Sequence, residues 1–202
     1  TRTGSSYSLF LVHLADTGLT KSDPVWTLGL HACPAVDVSM AGVKAHLIGE
    51  EGKGGLYFGL ISGTMHTAAG AMNAGIMKGS FTEALAYARQ RSQGGRRIVE
   101  WSEVGMILAG MHAKTETAVM CVEAACLSLA QGGDETRRRC IAAALHVHEL
   151  ACEAVTDGVQ ILGGYGYMKD YGQEKRYRDA RQVQTLLGAA HLKKLSLIEE
   201  SR

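Results

Sequence analysis

No proline follows Pro34 in this 202-residue chain, and beyond about Gly52 only glycines interrupt long runs of helical period. Proline inside a helix removes a hydrogen bond and costs ~3 kcal/mol, so its absence over such a length permits helices of many turns. The apolar positions then say which face each helix buries. Val104, Ile107, Leu108, Met111, Thr115, Ala118, Val122, Ala125 and Leu129 hold one stripe for about seven turns. Asp134 reads as the N-cap of a third helix, with Ile141, Ala144, Leu145, His148, Cys152, Val155, Val159 and Leu162 on one face and a left-handed stop at Gly163-Gly164. Ahead of both, a first helix from Gly55 to about Arg91 repeats Met65, Ala69, Met72 and Ile76. Its methionines, Met65, Met72 and Met77, read as core. Further helical stretches cover about 173–187 and 190–200. These segments predict a mainly α fold, an antiparallel four-helix bundle of long helices.

The first 52 residues differ. YSLFLVH at 7–13 and AVDVSM at 35–40 read as strands, the second with Val36, Val38 and Met40 alternating against Asp37 and Ser39 as a half-buried strand does. Val43 to Leu47 extends the pairing after a turn at Gly42. So few strands bury a face poorly, which predicts a small N-terminal β fragment from a truncated β-domain. The expected division is 1–52 for this fragment and 53–202 for the helical bundle domain.

Hydrophobic residues make up 46% of the chain and charged ones 20%, with a net charge of +1, so no strong field draws in nucleic acid or an anionic membrane. Five cysteines without CxxC spacing favour neither a disulfide framework nor a zinc site; four of them fall in helical runs, and they read as small apolar core residues of a reducing compartment. The N-terminus lacks a basic then apolar leader, and no apolar run nears the ~18 residues of a membrane span. A cytoplasmic protein is expected.

His146 and His148 are two apart and point to different faces of a helix, so they do not converge on a metal, and no metal ligands are assigned. The GxG at Gly164-Tyr165-Gly166 follows a helix, where a dinucleotide fingerprint needs a strand. Arg91-Ser92-Gln93-Gly94-Gly95-Arg96-Arg97 admits two readings: guanidinium groups around a phosphate, or basic residues offsetting a helix dipole. The run Lys175 to Arg181, KRYRDAR, reads as a charged helix face.

FLVHLADTGLT, LGLHACPAVDVSMAGV, IGEEGKG, EALAYARQRSQGG, and VQILGGYGYMKDY with RYRDAR come in an order and spacing that resemble the acyl-CoA dehydrogenase family. The resemblance implies the second half of that family's middle β-domain followed by its C-terminal helical domain. It implies FAD as cofactor, an acyl-CoA thioester as substrate, a homo-dimer or homo-tetramer, and electron-transfer flavoprotein as a partner. By the same likeness Arg91 and Gln93 meet the FAD pyrophosphate, and Gln160, Gly163 and Gly164 meet its adenosine part. Gly94 stands where the family has phenylalanine. Leu187 and Met65 occupy the family's two glutamate-base positions, so no catalytic residue is assigned. His66 replaces a common arginine on the substrate side, and Ala189 replaces a threonine beside the flavin. Three readings stay open: a dehydrogenase with its base elsewhere, a flavoprotein of the same fold with oxygen- or reductase-type chemistry, and a non-catalytic assembly subunit.

Overall fold

The computed structural model describes residues 2–3 and 6–199 and divides the chain into two compact units. One comprises Thr1–Thr27 and His31–Ser62, the other Leu28–Leu30 and Gly63–Arg202.

The first unit is built from short antiparallel pairs. β1 (Arg2–Thr3) pairs with β2 (Ser6–Tyr7), β3 (Leu9–Val12) with β6 (Ala45–Ile48), and β4 (Leu19–Lys21) with β5 (Val38–Met40). The segment after Gly42 therefore pairs with β3 and does not extend β5. Strand β4 was not expected, and it takes the register Leu19↔Met40. Val38 and Met40 are exposed and Val36 is half-buried, so the alternation read from sequence does not bury a face of this unit.

The second unit is helical. α1 (Gly54–Gln90), which enters it at Gly63, is followed by α2 (Ser102–Gln131), α3 (Thr136–Leu162), α4 (Gln173–Thr185) and α5 (Ala190–Glu199). The expected end at Glu200 lies outside the described residues. The first three helices run antiparallel. Gly63 lies near Leu129 and Cys140, Gly70 near Val122 and Ala144, and Ala84 and Ala88 share a core with Leu108, Met111, Ile161 and Leu162. A second core joins Ala74 and Met77 to Ala118, Val147, Ala151, Val155 and Ala180. Small residues on facing helices let the backbones approach closely.

The stripes of α2 and α3 are buried or half-buried throughout, as expected, but that of α1 is buried only in part. Met77 is fully buried, whereas Met65 and Met72 are 37% and 43% exposed. The buried face instead carries His66, Thr67, Asn73 and Ser80 between alanines and glycines. Three of these side chains find partners: Thr67 Oγ1 donates to Gly63 O, Asn73 Nδ2 lies 2.7 Å from His148 Nδ1, and Ser80 Oγ donates to Gln173 Oε1. Each such hydrogen bond lowers the cost of burying a polar group. α3 begins at Thr136, with Glu135 in helical conformation before it and no side-chain cap, so Asp134 is not its N-cap. Gly163, with φ 56, does end it.

The Lys175–Arg181 run is not a solvated face. Arg176 pairs with Glu83 of α1 and Arg178 with Glu174, while Asp179, 6% exposed, accepts the Leu30 N–H at 2.7 Å and pairs with Lys175. Arg178 also donates to Leu28 O, so this charged face ties the segment Leu28–Leu30 to α4. Of the cysteines, Cys140 and Cys152 are buried and Cys121 half-buried, but Cys33 and Cys126 are exposed and are not core residues. No helix among the described residues is long and apolar enough to cross a membrane.

Candidate functional site

Two breaks between helices build one wall each of a cavity. After α1 the chain makes a tight hairpin, β7 (Ser92–Gln93) against β8 (Arg96–Arg97), whose tip residues Gly94 and Gly95 have φ 66 and 84. A two-residue turn with both φ values positive selects glycine. Ile98 N–H donates to Arg91 O at 2.8 Å and closes the loop, and Trp101 precedes α2. The second break follows α3 and winds through a 3-10 turn, Gly163–Tyr167. Gly166 is buried there, and a Cβ on it would collide with Val159 O.

Between the two walls lies a cavity of about 760 Å³. Its lining includes Arg91, Gln93, Gln160, Gly163 and Gly164, all five residues that the sequence resemblance assigns to a cofactor. Aromatic rings that the sequence reading passed over complete it. Tyr87, Trp101 and Tyr165 all line the cavity. Tyr165 stacks on Tyr171 at 5.1 Å, and the Arg91 guanidinium stands 5.9 Å from the Tyr165 ring. Trp101, Tyr165 and Tyr171 sit at breaks, while Tyr87 lies in the last turn of α1, and only their proximity to the glycines marks them in sequence. Among the described residues Arg91, Arg96 and Arg97 form no ion pair with a carboxylate. Guanidinium charge left uncompensated beside glycine-rich backbone and two amides suits a phosphate-bearing ligand with a polar, flat ring.

His66 does not line this cavity. It belongs to a buried polar cluster in the helical unit with Asn73, His148 and Lys193. Burial, then the charges of Lys193 and Arg137, depresses the His66 pKa to about 4; burial, then Lys193 and His66, does the same for His148, also to about 4. Both rings are therefore neutral near pH 7. His66 Nδ1, His148 Nε2 and Asn73 Oδ1 are buried without a hydrogen-bond partner. Lys193, itself buried, donates to Gln184 O and Leu186 O across the turn that carries Leu187, whose φ is 64. Leu187 is half-buried and Ala189 exposed. His146 is exposed and His148 buried, on different faces as the spacing requires. Among the described residues no three of His, Cys, Asp and Glu gather as a metal site.

The two imidazoles make stability depend on pH. Their folded-state pKa values lie below the unfolded value near 6.5, so the unfolded chain binds more protons between them. Stability is therefore expected to fall as pH drops from about 6.5 and to level off below about 4, by a few kcal/mol for the pair. Urea denaturation at pH 7 and pH 4.5 measures this. His148→Gln, which removes one titrating ring, should shrink the difference between the two; an unchanged difference would place the acid sensitivity elsewhere.

A protein-family model described as "Acyl-CoA dehydrogenase, C-terminal domain" matches residues 64–200. The 3-(aryl)acrylate reductase of Clostridium sporogenes is 31% identical over 92% of this chain and 50% of its own length. The caffeyl-CoA reductase-Etf complex subunit CarC of Acetobacterium woodii is 29% identical over 93% of this chain and 50% of its own. Butyryl-CoA dehydrogenase from Megasphaera elsdenii has a matching fold, with a TM-score of 0.91 at 22% identity over 98% of this chain and 53% of that one. The chain thus spans about half the length of the curated relatives it matches.

Proposed function

Because the chain belongs to the acyl-CoA dehydrogenase family, which is FAD-dependent, we propose that it is the cofactor-holding helical part of an oxidoreductase acting at the α and β carbons of an acyl-CoA thioester. The observation that carries this reading is the meeting of Arg91 and Gln93 with Gln160, Gly163 and Gly164 around one cavity, from two breaks far apart in sequence.

In this reading Arg91 holds the pyrophosphate of FAD, the amides of Gln93 and Gln160 read polar edges, and Gly163 and Gly164 admit the ligand close to backbone. Bound FAD supplies the acceptor for a hydride. Leu187 and Met65 carry no proton acceptor, and His66, where the resemblance puts a substrate-side arginine, is a neutral ring buried with Asn73, His148 and Lys193. A reductase of the same fold is the second reading. It is favoured by the names of two matched relatives, and it needs a proton donor at the α-carbon just as the dehydrogenase needs a base there. The Etf complex in one relative's name supports electron-transfer flavoprotein as the redox partner. For self-association, Ala68, Ala71 and Gly75 form an exposed small-residue face on α1, while Ala69, Gly70 and Ala74 are spent on the bundle interior.

Calorimetric titration of the chain with FAD and with ADP tests the cofactor reading. Both should bind, and Arg91→Ala should weaken both about 10- to 100-fold, the worth of a charge-assisted hydrogen bond. Absence of binding by either at millimolar concentration would sink it.

A further inference from the structure

Gly94 is glycine for a reason beyond its φ of 66: a Cβ there would stand 2.9 Å from Trp101 Cζ2. The indole already fills the space that a side chain at 94 would use. It is also held in place. Trp101 Nε1–H donates to Gln93 O at 3.2 Å, and the Arg96 guanidinium lies over the ring with its Cζ 3.6 Å from the centroid. Trp101 lines the cavity from the first break as Tyr165 does from the second, with the Gln93 and Gln160 amides in the same lining.

We propose that Trp101 is the ring-recognition residue of this cavity, packing against the adenine of a bound adenosine diphosphate group and taking the place of a side chain at Gly94. The inference rests on the cofactor reading above and names the residue that gives it ring selectivity. Large aromatic surface recognises a flat base through stacking, and Arg96 both immobilises the indole and adds positive charge beside it. A flexible aliphatic residue at 101 would supply neither the flat surface nor the anchor to Gln93. Two metabolite classes carry this group: dinucleotides such as FAD, with an unmodified ribose, and coenzyme A thioesters, with a phosphate on the 3′-oxygen. The cofactor reading commits the cavity to the first.

The chain has two tryptophans, and Trp26, in the other unit, is 95% exposed, so Trp26→Phe leaves Trp101 as sole reporter. In that background, ADP should quench indole emission saturably, with a midpoint equal to the calorimetric Kd. Trp101→Phe should bind ADP within about 3-fold of the parent, and Trp101→Leu about 5- to 100-fold more weakly, as loss of one base–aromatic stack implies. ADP binding with unchanged emission, or undiminished binding by Trp101→Leu, would overturn the role of Trp101 while leaving the cofactor cavity standing. Failure of ADP to bind at all would remove both. Tighter binding of coenzyme A than of ADP would overturn the assignment to a dinucleotide. The emission titration needs no change at 101, so it decides even where Trp101→Leu does not fold.

Discussion

Gly158→Ala is expected to destabilise the helical unit by about 2–4 kcal/mol, although the same change at an exposed helical site stabilises by up to ~1 kcal/mol. Gly158 lies within α3 and is buried against a reciprocal pair. Ser80 Oγ donates to Gln173 Oε1 at 2.8 Å, and Gln173 Nε2 donates to Ser80 O at 2.8 Å, with both side chains fully buried. A Cβ at 158 would collide with Ser80 Oγ and come within 2.8 Å of Gln173 Oε1. Rotating the hydroxyl away relieves the clash but leaves a buried acceptor unpaired, at ~1–3 kcal/mol for each group so stranded. The pair also joins α1 to α4 past α3, so the loss falls on three helices. Urea denaturation followed by helical circular dichroism gives the cost. The mechanism itself is tested by Ser80→Ala, which removes the colliding oxygen: Gly158→Ala should cost at least ~1 kcal/mol less in that background. Strict additivity of the two changes would show that the clash is not with Ser80.

The same pair marks where sequence pattern stops informing. Helices α2 and α3 were legible because Leu108, Met111, Ile141 and Leu145 bury apolar surface at helical period. On α1 the buried face is drawn by His66, Asn73 and Ser80, which a hydropathy pattern counts as solvent-facing. Their burial depends on His148 and Gln173, 75 and 93 residues away, and no local rule names such partners. The charged residues of α4 misled for the same reason, since Asp179 is spent on the backbone of Leu30, 149 residues distant. Strand β6 was placed nearly right, but its pairing with β3 could not be read, because register between the two is set across a long loop. The five cavity residues were legible through the likeness of whole segments. Trp101 was not, because its value comes from Gly94 and Gln93 beside it in space.

Leu187→Glu carries the largest expected effect on chemistry. A general base is typically worth 10²–10⁴ in rate, roughly 3–5 kcal/mol of barrier, and under the proposed function the position that should hold it is occupied by an alkyl side chain. The backbone there tolerates the change. Leu187 already sits at φ 64, and glutamate, unbranched at Cβ like leucine, adds no new clash with a left-handed conformation. Two influences act on the new carboxyl: partial burial of the position disfavours its charge, while the Lys193 ammonium on the neighbouring Leu186 carbonyl favours it. With a cation so placed, the carboxylate should be ionised and basic already at pH 7. Measured on the complete product of the reading frame with FAD bound, deuterium exchange at the α-carbon of a saturated acyl-CoA should therefore rise about 10²- to 10⁴-fold over the parent. Lys193→Met in the Leu187→Glu background should then move the pH midpoint of exchange upward, because burial acts without its counterweight. Fast exchange in the parent would reveal a base elsewhere in the protein. No gain in the variant would mean that the turn no longer faces an acyl-CoA, and that the proton at the α-carbon is handled from another position in either direction of the reaction.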